Sequence, residues 1–75
     1  ILHKAILLVD RSIKPCHGDI VVAVVNNDFF VKRLQIANKE ILLCPENPQY
    51  PVTKLYEDRG DYLWGIVLAS INTYK

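Results

Sequence analysis

The strongest constraint on this chain is "IVVAVV", Ile20 to Val25, which is apolar at every position and rich in β-branched residues. Side chains alternate between the two faces of a strand, so a run with no polar position has to be covered on both. "KPCHGD", Lys14 to Asp19, precedes it with Pro and Gly and reads as a loop, with Gly18 supplying a positive φ before the strand. Asn26-Asn27-Asp28 follows it, and these side chains bond nearby backbone and tolerate left-handed conformations. The chain is expected to turn there.

Phe29 to Ile36 then returns as a partner strand, and a turn at Ala37 to Glu40 leads to Ile41 to Cys44, which completes a three-strand meander. "AILLV", Ala5 to Val9, is an earlier buried strand ended by Asp10-Arg11-Ser12. Pro45 to Pro51 is too rich in Pro for a ladder, Val52 to Tyr56 suits a short edge strand, and Glu57 to Asp61 is a polar turn. Tyr62 to Ile71 is the last strand, with Gly65 marking a bend or a close approach. Strict alternation puts Trp64, Ile66, Leu68 and Ser70 on one face of it, and Leu63, Gly65, Val67, Ala69 and Ile71 on the other. These elements make one all-β domain of short strands and hairpins, with turns at sandwich-like spacing.

Charge and length exclude several classes. Nine Lys and Arg against eight Asp and Glu, with no block of one sign, give no footprint for nucleic acid or a membrane surface. The longest uncharged stretch, Tyr62 to Tyr74, is 13 residues, short of the roughly 20 that a spanning helix needs. No signal-peptide pattern opens the sequence. The two cysteines, Cys16 and Cys44, form no CxxC pair and read as reduced thiols of a cytoplasmic protein. No methionine occurs even at position 1, so the chain is expected to have lost residues from its front.

Few residues invite chemistry. In "FFVKRLQ", Phe29 to Gln35, alternation places Lys32 between Phe30 and Leu34 on the more apolar face, while Arg33 shares the other with Gln35. A desolvated lysine has its charged form disfavoured and can act as a base. The competing reading is an edge lysine that snorkels to water along its alkyl stem and blunts aggregation, and pattern alone favours it. Cys16, His17 and Asp19 lack the spacing of a zinc pair, so His17 reads as a solvated turn histidine. Asp10 with Ser12 reads as turn capping, and Tyr56, Tyr62 and Trp64 as core or rim filling.

"ILLVDRSIKPCHGDIVVAVVNNDFFVKRLQ", "LLCPENPQYPV" and "LWGIV" together resemble the peptidase domain of UmuD-like proteins, self-cleaving relatives of the LexA repressor in the bacterial SOS response. The likeness covers about residues 6 to 72, and its densest parts are "VDRS", "HGDIVVA", "F-VKRL" and "WGIV". "ILHKA" at the front matches poorly, having Lys4-Ala5 where the family favours Gly-Asp. The resemblance implies a serine nucleophile with Lys32 as general base, which reverses the reading from pattern alone. A lysine at its free pKa of about 10.4 is protonated at neutral pH, so such a dyad needs a neutral amine. The family's serine lies in a Ser-Met segment before the "LLVD" strand, at a place that would precede residue 1; Ser12 and Ser70 do not match it.

The chain is therefore expected to be the C-terminal portion, residues 1–75, of one LexA/UmuD-like peptidase domain, inactive by itself and with no cofactor or metal. The resemblance further implies a homodimer, a UmuC-like error-prone polymerase subunit of the Y family and a RecA filament as partners, in support of translesion synthesis. Two other readings stay open: a non-catalytic dimerising module that binds the polymerase subunit, and a small β adaptor with no chemistry.

Overall fold

The apolar run at Ile20–Val25 forms the second of six strands in a computed structural model that describes residues 4–73. The strands are β1 (Lys4–Asp10), β2 (Ile20–Val25), β3 (Asp28–Ala37), β4 (Glu40–Cys44), β5 (Thr53–Lys54) and β6 (Tyr62–Thr73). They build one antiparallel sheet in the order β1–β6–β2–β3–β4–β5. The fold is all-β, as expected, but sandwich-like spacing does not produce a second layer among the described residues. Instead β6 returns across the meander and inserts between β1 and β2.

Turn chemistry sets both hairpins of the meander. Asn26 (φ 51°) and Asn27 (φ 66°) are both left-handed, as are Asn38 (φ 51°) and Lys39 (φ 64°). Two consecutive positive φ values define the type I′ loop, whose twist matches that of the strands it joins. The hairpins place Val21 opposite Lys32, Ala23 opposite Phe30, and Leu34 opposite Leu43. Val21, Ala23, Leu34, Leu43 and Leu55 are almost fully buried on this face and form the core. Leu55 follows β5, where the expected strand Val52–Tyr56 shrinks to Thr53–Lys54, and its N–H donates to the Ile41 carbonyl at 2.9 Å. The polar turn after it is a single 3-10 turn, Glu57–Arg59, closed by Gly60 at φ 89°.

Val22 and Val24 are buried on the opposite face, so both faces of β2 are covered as the sequence demands. Phe29 and Tyr62 lie directly across from Val24, and Gly65 from Val22. A side chain at Gly65 would run into Val9, so this glycine marks a close approach. Arg11 continues past that point, stacks 4.3 Å from the Trp64 ring centroid and donates from Nε to the Trp64 carbonyl at 3.1 Å. Phe29 meets the same indole edge to face at 6.1 Å.

Strict alternation along β6 does not hold. Register shifts fall opposite Val22/Ala23 and opposite Leu8/Val9, so Leu63 pairs with Ala23 and Ile66 with Val21, both on the core face. Trp64 is the extra residue between Leu63 and Gly65, and it turns away from Ile66 toward Phe29. A bulge of this kind bends the strand and re-aims a side chain. The side chain of Ile71, the remaining member of the expected pattern, lies outside the described residues. No helix among the described residues is long and apolar enough to cross a membrane.

Candidate active site

Lys32 lies in the middle of β3, directly opposite Val21, and is half-buried on the core face between Phe30 and Leu34. Its face is the one that alternation assigns. It lines a pocket of about 260 Å³ whose other walls are Val25, Asn26, Phe30, Leu43 and Thr53. Apolar side chains thus surround the lysine, and Asn26 and Thr53 supply the remaining polar surface. The strand beneath is held by ladders to β2 and β4, so the lysine projects from a rigid element.

The adjacent cation differs in kind. Arg33 points to the other face, where it donates to the Gly18 carbonyl at 2.8 Å and pairs with Glu46 at 3.1 Å. Lys54 pairs with Glu40 at 2.8 Å, and that hydrogen bond is the main reason its pKa is raised, with Coulombic support from Glu40, Tyr56 and Asp58. Neither of these two ion pairs involves Lys32. Among the described residues, the lysine in the pocket has no carboxylate to hold its proton.

Neither serine is brought to it. Ser12 follows the edge strand β1, and its N–H and hydroxyl both donate to Asp10 Oδ1, at 2.7 and 2.6 Å. These bonds, the hydroxyl's foremost, lower the Asp10 pKa, so the capping role read from the sequence holds. Ser70 lines a groove with Leu7, Ile20, Val31, Val67, Leu68 and Ala69, on the face opposite Lys32.

Cys16, His17 and Asp19 do not converge either. The Asp19 carboxylate accepts the Cys16 N–H at 2.8 Å, and the Cys16 thiol faces the Lys14 carbonyl at 3.8 Å. His17 is exposed but not merely solvated, because its Nδ1 accepts the Ile36 N–H at 2.9 Å. No group of three His, Cys, Asp or Glu among the described residues is disposed to hold a metal.

Sequence reasoning missed two residues of the pocket wall and a third that holds one of them. Asn26, in the β2–β3 turn, and Thr53, in β5, form the pocket's polar wall. Asp61 is only 5% exposed, and its carboxylate accepts the Asn26 N–H at 3.3 Å and the Tyr56 N–H at 3.0 Å. It thereby ties the β2–β3 turn to the turn before β6. The signal available was weak, since a lone Asp after Gly60 looks like ordinary turn chemistry.

The central hairpin of this antiparallel sheet thus presents a half-buried lysine that joins neither ion pair found among the described residues. Residues 1–68 match the Peptidase S24-like family. The chain is 40% identical over 67 residues to Protein MucA of Salmonella typhimurium, spanning 88% of this chain and 45% of MucA. It is 42% identical over 72 residues to Protein SamA of Salmonella typhimurium strain LT2, spanning 95% and 49% of the two. With the LexA repressor of Bordetella avium the identity is 35% over 74 residues, spanning 99% and 35%. The chain belongs to the Peptidase S24-like family and is a UmuD/LexA-like domain. It spans less than half the length of these relatives.

Proposed function

We propose that the chain is the lysine-bearing part of an SOS mutagenesis protein that cleaves itself by serine–lysine chemistry, with Lys32 as the general base. The observation that carries this reading is the placement of Lys32 in a largely apolar pocket, on a rigid strand, with no counter-ion among the described residues. In this reading the Lys32 amine takes the proton of a serine hydroxyl while Oγ forms a bond to the scissile carbonyl carbon. Lys32 then returns that proton to the leaving amine as the C–N bond breaks, and water hydrolyses the resulting ester. In this reading the nucleophile is neither Ser12 nor Ser70.

The test is self-cleavage of the complete gene product, followed by gel electrophoresis for wild type, Lys32→Ala and Lys32→Arg. General-base removal costs about 10²–10⁴-fold, so both variants should remain intact when wild type is fully processed. Cleavage at the wild-type rate in Lys32→Ala would overturn the assignment. The 75 residues alone should not cleave a LexA-like substrate above background.

A second reading, a dimerising module for a UmuC-like polymerase subunit of the Y family, is favoured by one observation. Leu7, Val31 and Leu68, respectively 36%, 47% and 54% exposed, leave an apolar groove open. A homodimer through that groove fits the UmuD-like kinship, as does activation on a RecA filament. Ile66 is a core residue and Trp64 is engaged by Arg11 and Phe29, so neither is a clean probe of self-association. Leu68→Asp is the better one: sedimentation should show it monomeric where wild type is dimeric. A wild-type chain that stays monomeric at high micromolar concentration would remove this reading.

A further inference from the structure

We infer that His17 is a pH-sensitive latch that fastens the loop before β2 to the far end of β3. Strand β3 is ten residues long and β2 only six, so β3 outruns its partner. Loop 14–19 takes over where β2 stops. The Leu34 N–H donates to the Asp19 carbonyl and the Gly18 N–H to the Leu34 carbonyl, each at 2.8 Å. The next inward-facing donor, the Ile36 N–H, meets the imidazole of His17 at 2.9 Å where a strand would have offered a carbonyl. A side chain therefore completes the ladder, and it is one that titrates.

The chemistry of the acceptor makes the contact conditional. Nδ1 accepts only while it carries no hydrogen, which places the proton of the neutral ring on Nε2. Once protonated, an imidazole is a donor at both nitrogens and has no acceptor left. Two N–H groups then oppose each other, so the bond to Ile36 is lost rather than weakened. Because the released state binds the additional proton, acid favours release.

Other ionisable groups on the neighbouring elements have different engagements. On the loop, the Asp19 carboxylate holds the Cys16 N–H, the Cys16 thiol faces the Lys14 carbonyl, and Lys14 is exposed. On β3, Arg33 is bonded to the Gly18 carbonyl and to Glu46, and the Cys44 thiol of β4 donates to Gln35 at 3.0 Å. Arg33 and Asp19 still anchor the Gly18–Asp19 half of the loop when His17 is charged. The latch thus frees the His17 side chain and the Ile36 amide, while the Leu34 pairing and the Cys16–Asp19 bonds persist.

Amide hydrogen exchange of the chain at pH 7.5 and pH 5.0, expressed as protection factors to remove the intrinsic pH effect, tests this. Protection of the Ile36 amide should fall about fivefold at the lower pH, while that of Leu34 stays constant. His17→Asn offers an acceptor oxygen that does not titrate, so Ile36 should be protected equally at both values. His17→Ala should leave it equally unprotected at both. An Ile36 protection factor in wild type that is the same at both pH values would overturn the latch. So would an equal fall at Leu34, which means general unfolding, or a pH dependence that survives in His17→Asn.

Discussion

Replacing Gly65 by Ala probes the end of the β1–β6 pairing, where the fold leaves no room for a side chain. An added Cβ would stand 2.5 Å from Val9 Cγ1, 3.2 Å from the Asp10 carbonyl oxygen and 3.3 Å from Arg11 Cγ. Carbon pairs rest at about 3.5–4.0 Å, so the first contact is an ångström or more too short. Arg11 can swing aside, but the Val9 side chain is short and stiff, and the Asp10 backbone is held by pairing with Ile66. Overpacking of this kind costs about 1–3 kcal/mol, and the intrinsic gain of Ala over Gly in a strand returns about 0.5–1. The expected net loss is about 1–2 kcal/mol. With a urea m-value near 1 kcal/mol/M for so small a domain, the midpoint should fall by about 1–2 M, followed through Trp64 fluorescence. The clash also names its partner. In a Val9→Ala background the same substitution should be neutral or stabilising, giving a coupling of about 1 kcal/mol or more. An equal cost with and without Val9, or no cost at all, would refute the close-approach argument.

Lys39 occupies a left-handed position that type I′ loops reserve for glycine, so Lys39→Gly should raise stability by about 1 kcal/mol in the same denaturation assay. Asp61→Ala leaves two backbone N–H groups, of Asn26 and Tyr56, without their acceptor and should cost about 2–4 kcal/mol; Asp61→Asn, which keeps one oxygen, should cost less. The Lys54 pKa lies above its ordinary 10.5 chiefly through the bond to Glu40. That contribution is complete below the unfolded value and disappears as pH rises through the folded one. Melting curves of wild type and Glu40→Gln should therefore differ at neutral pH and converge in strong alkali.

Much of this architecture is legible locally, because it rests on chemistry confined to a few neighbouring residues. The all-apolar Ile20–Val25 run requires cover on both faces, and Val21 to Val24 are all buried. Asn26-Asn27 and the Ala37–Glu40 segment read as turns because asparagine tolerates left-handed backbone, and both are type I′. The alternation that puts Lys32 and Arg33 on opposite faces holds because β3 is regular between its two turns. It fails on β6 for the complementary reason. That strand is gripped by β1 on one side and β2 on the other, and its bulges arise from fitting both registers at once. Nothing within Tyr62–Ile71 encodes the position of Val9.

The candidate site divides along the same line. Lys32, its face and its apolar neighbours along β3 follow from one strand, so they could be read in advance. Its surroundings come from segments far apart in sequence: Asn26 from the first hairpin turn and Thr53 from the strand after the Pro-rich loop, with Asp61 holding Asn26 from the turn before β6. His17 shows the opposite failure. A turn histidine next to Gly18 has an obvious default in solvent, and only the excess length of β3 over β2 presents it with an N–H to accept. Its role is set by where another strand ends. In a small single sheet such as this, side chains borrowed from loops finish ladders that the strands leave open, and those positions are where the fold becomes responsive to its medium.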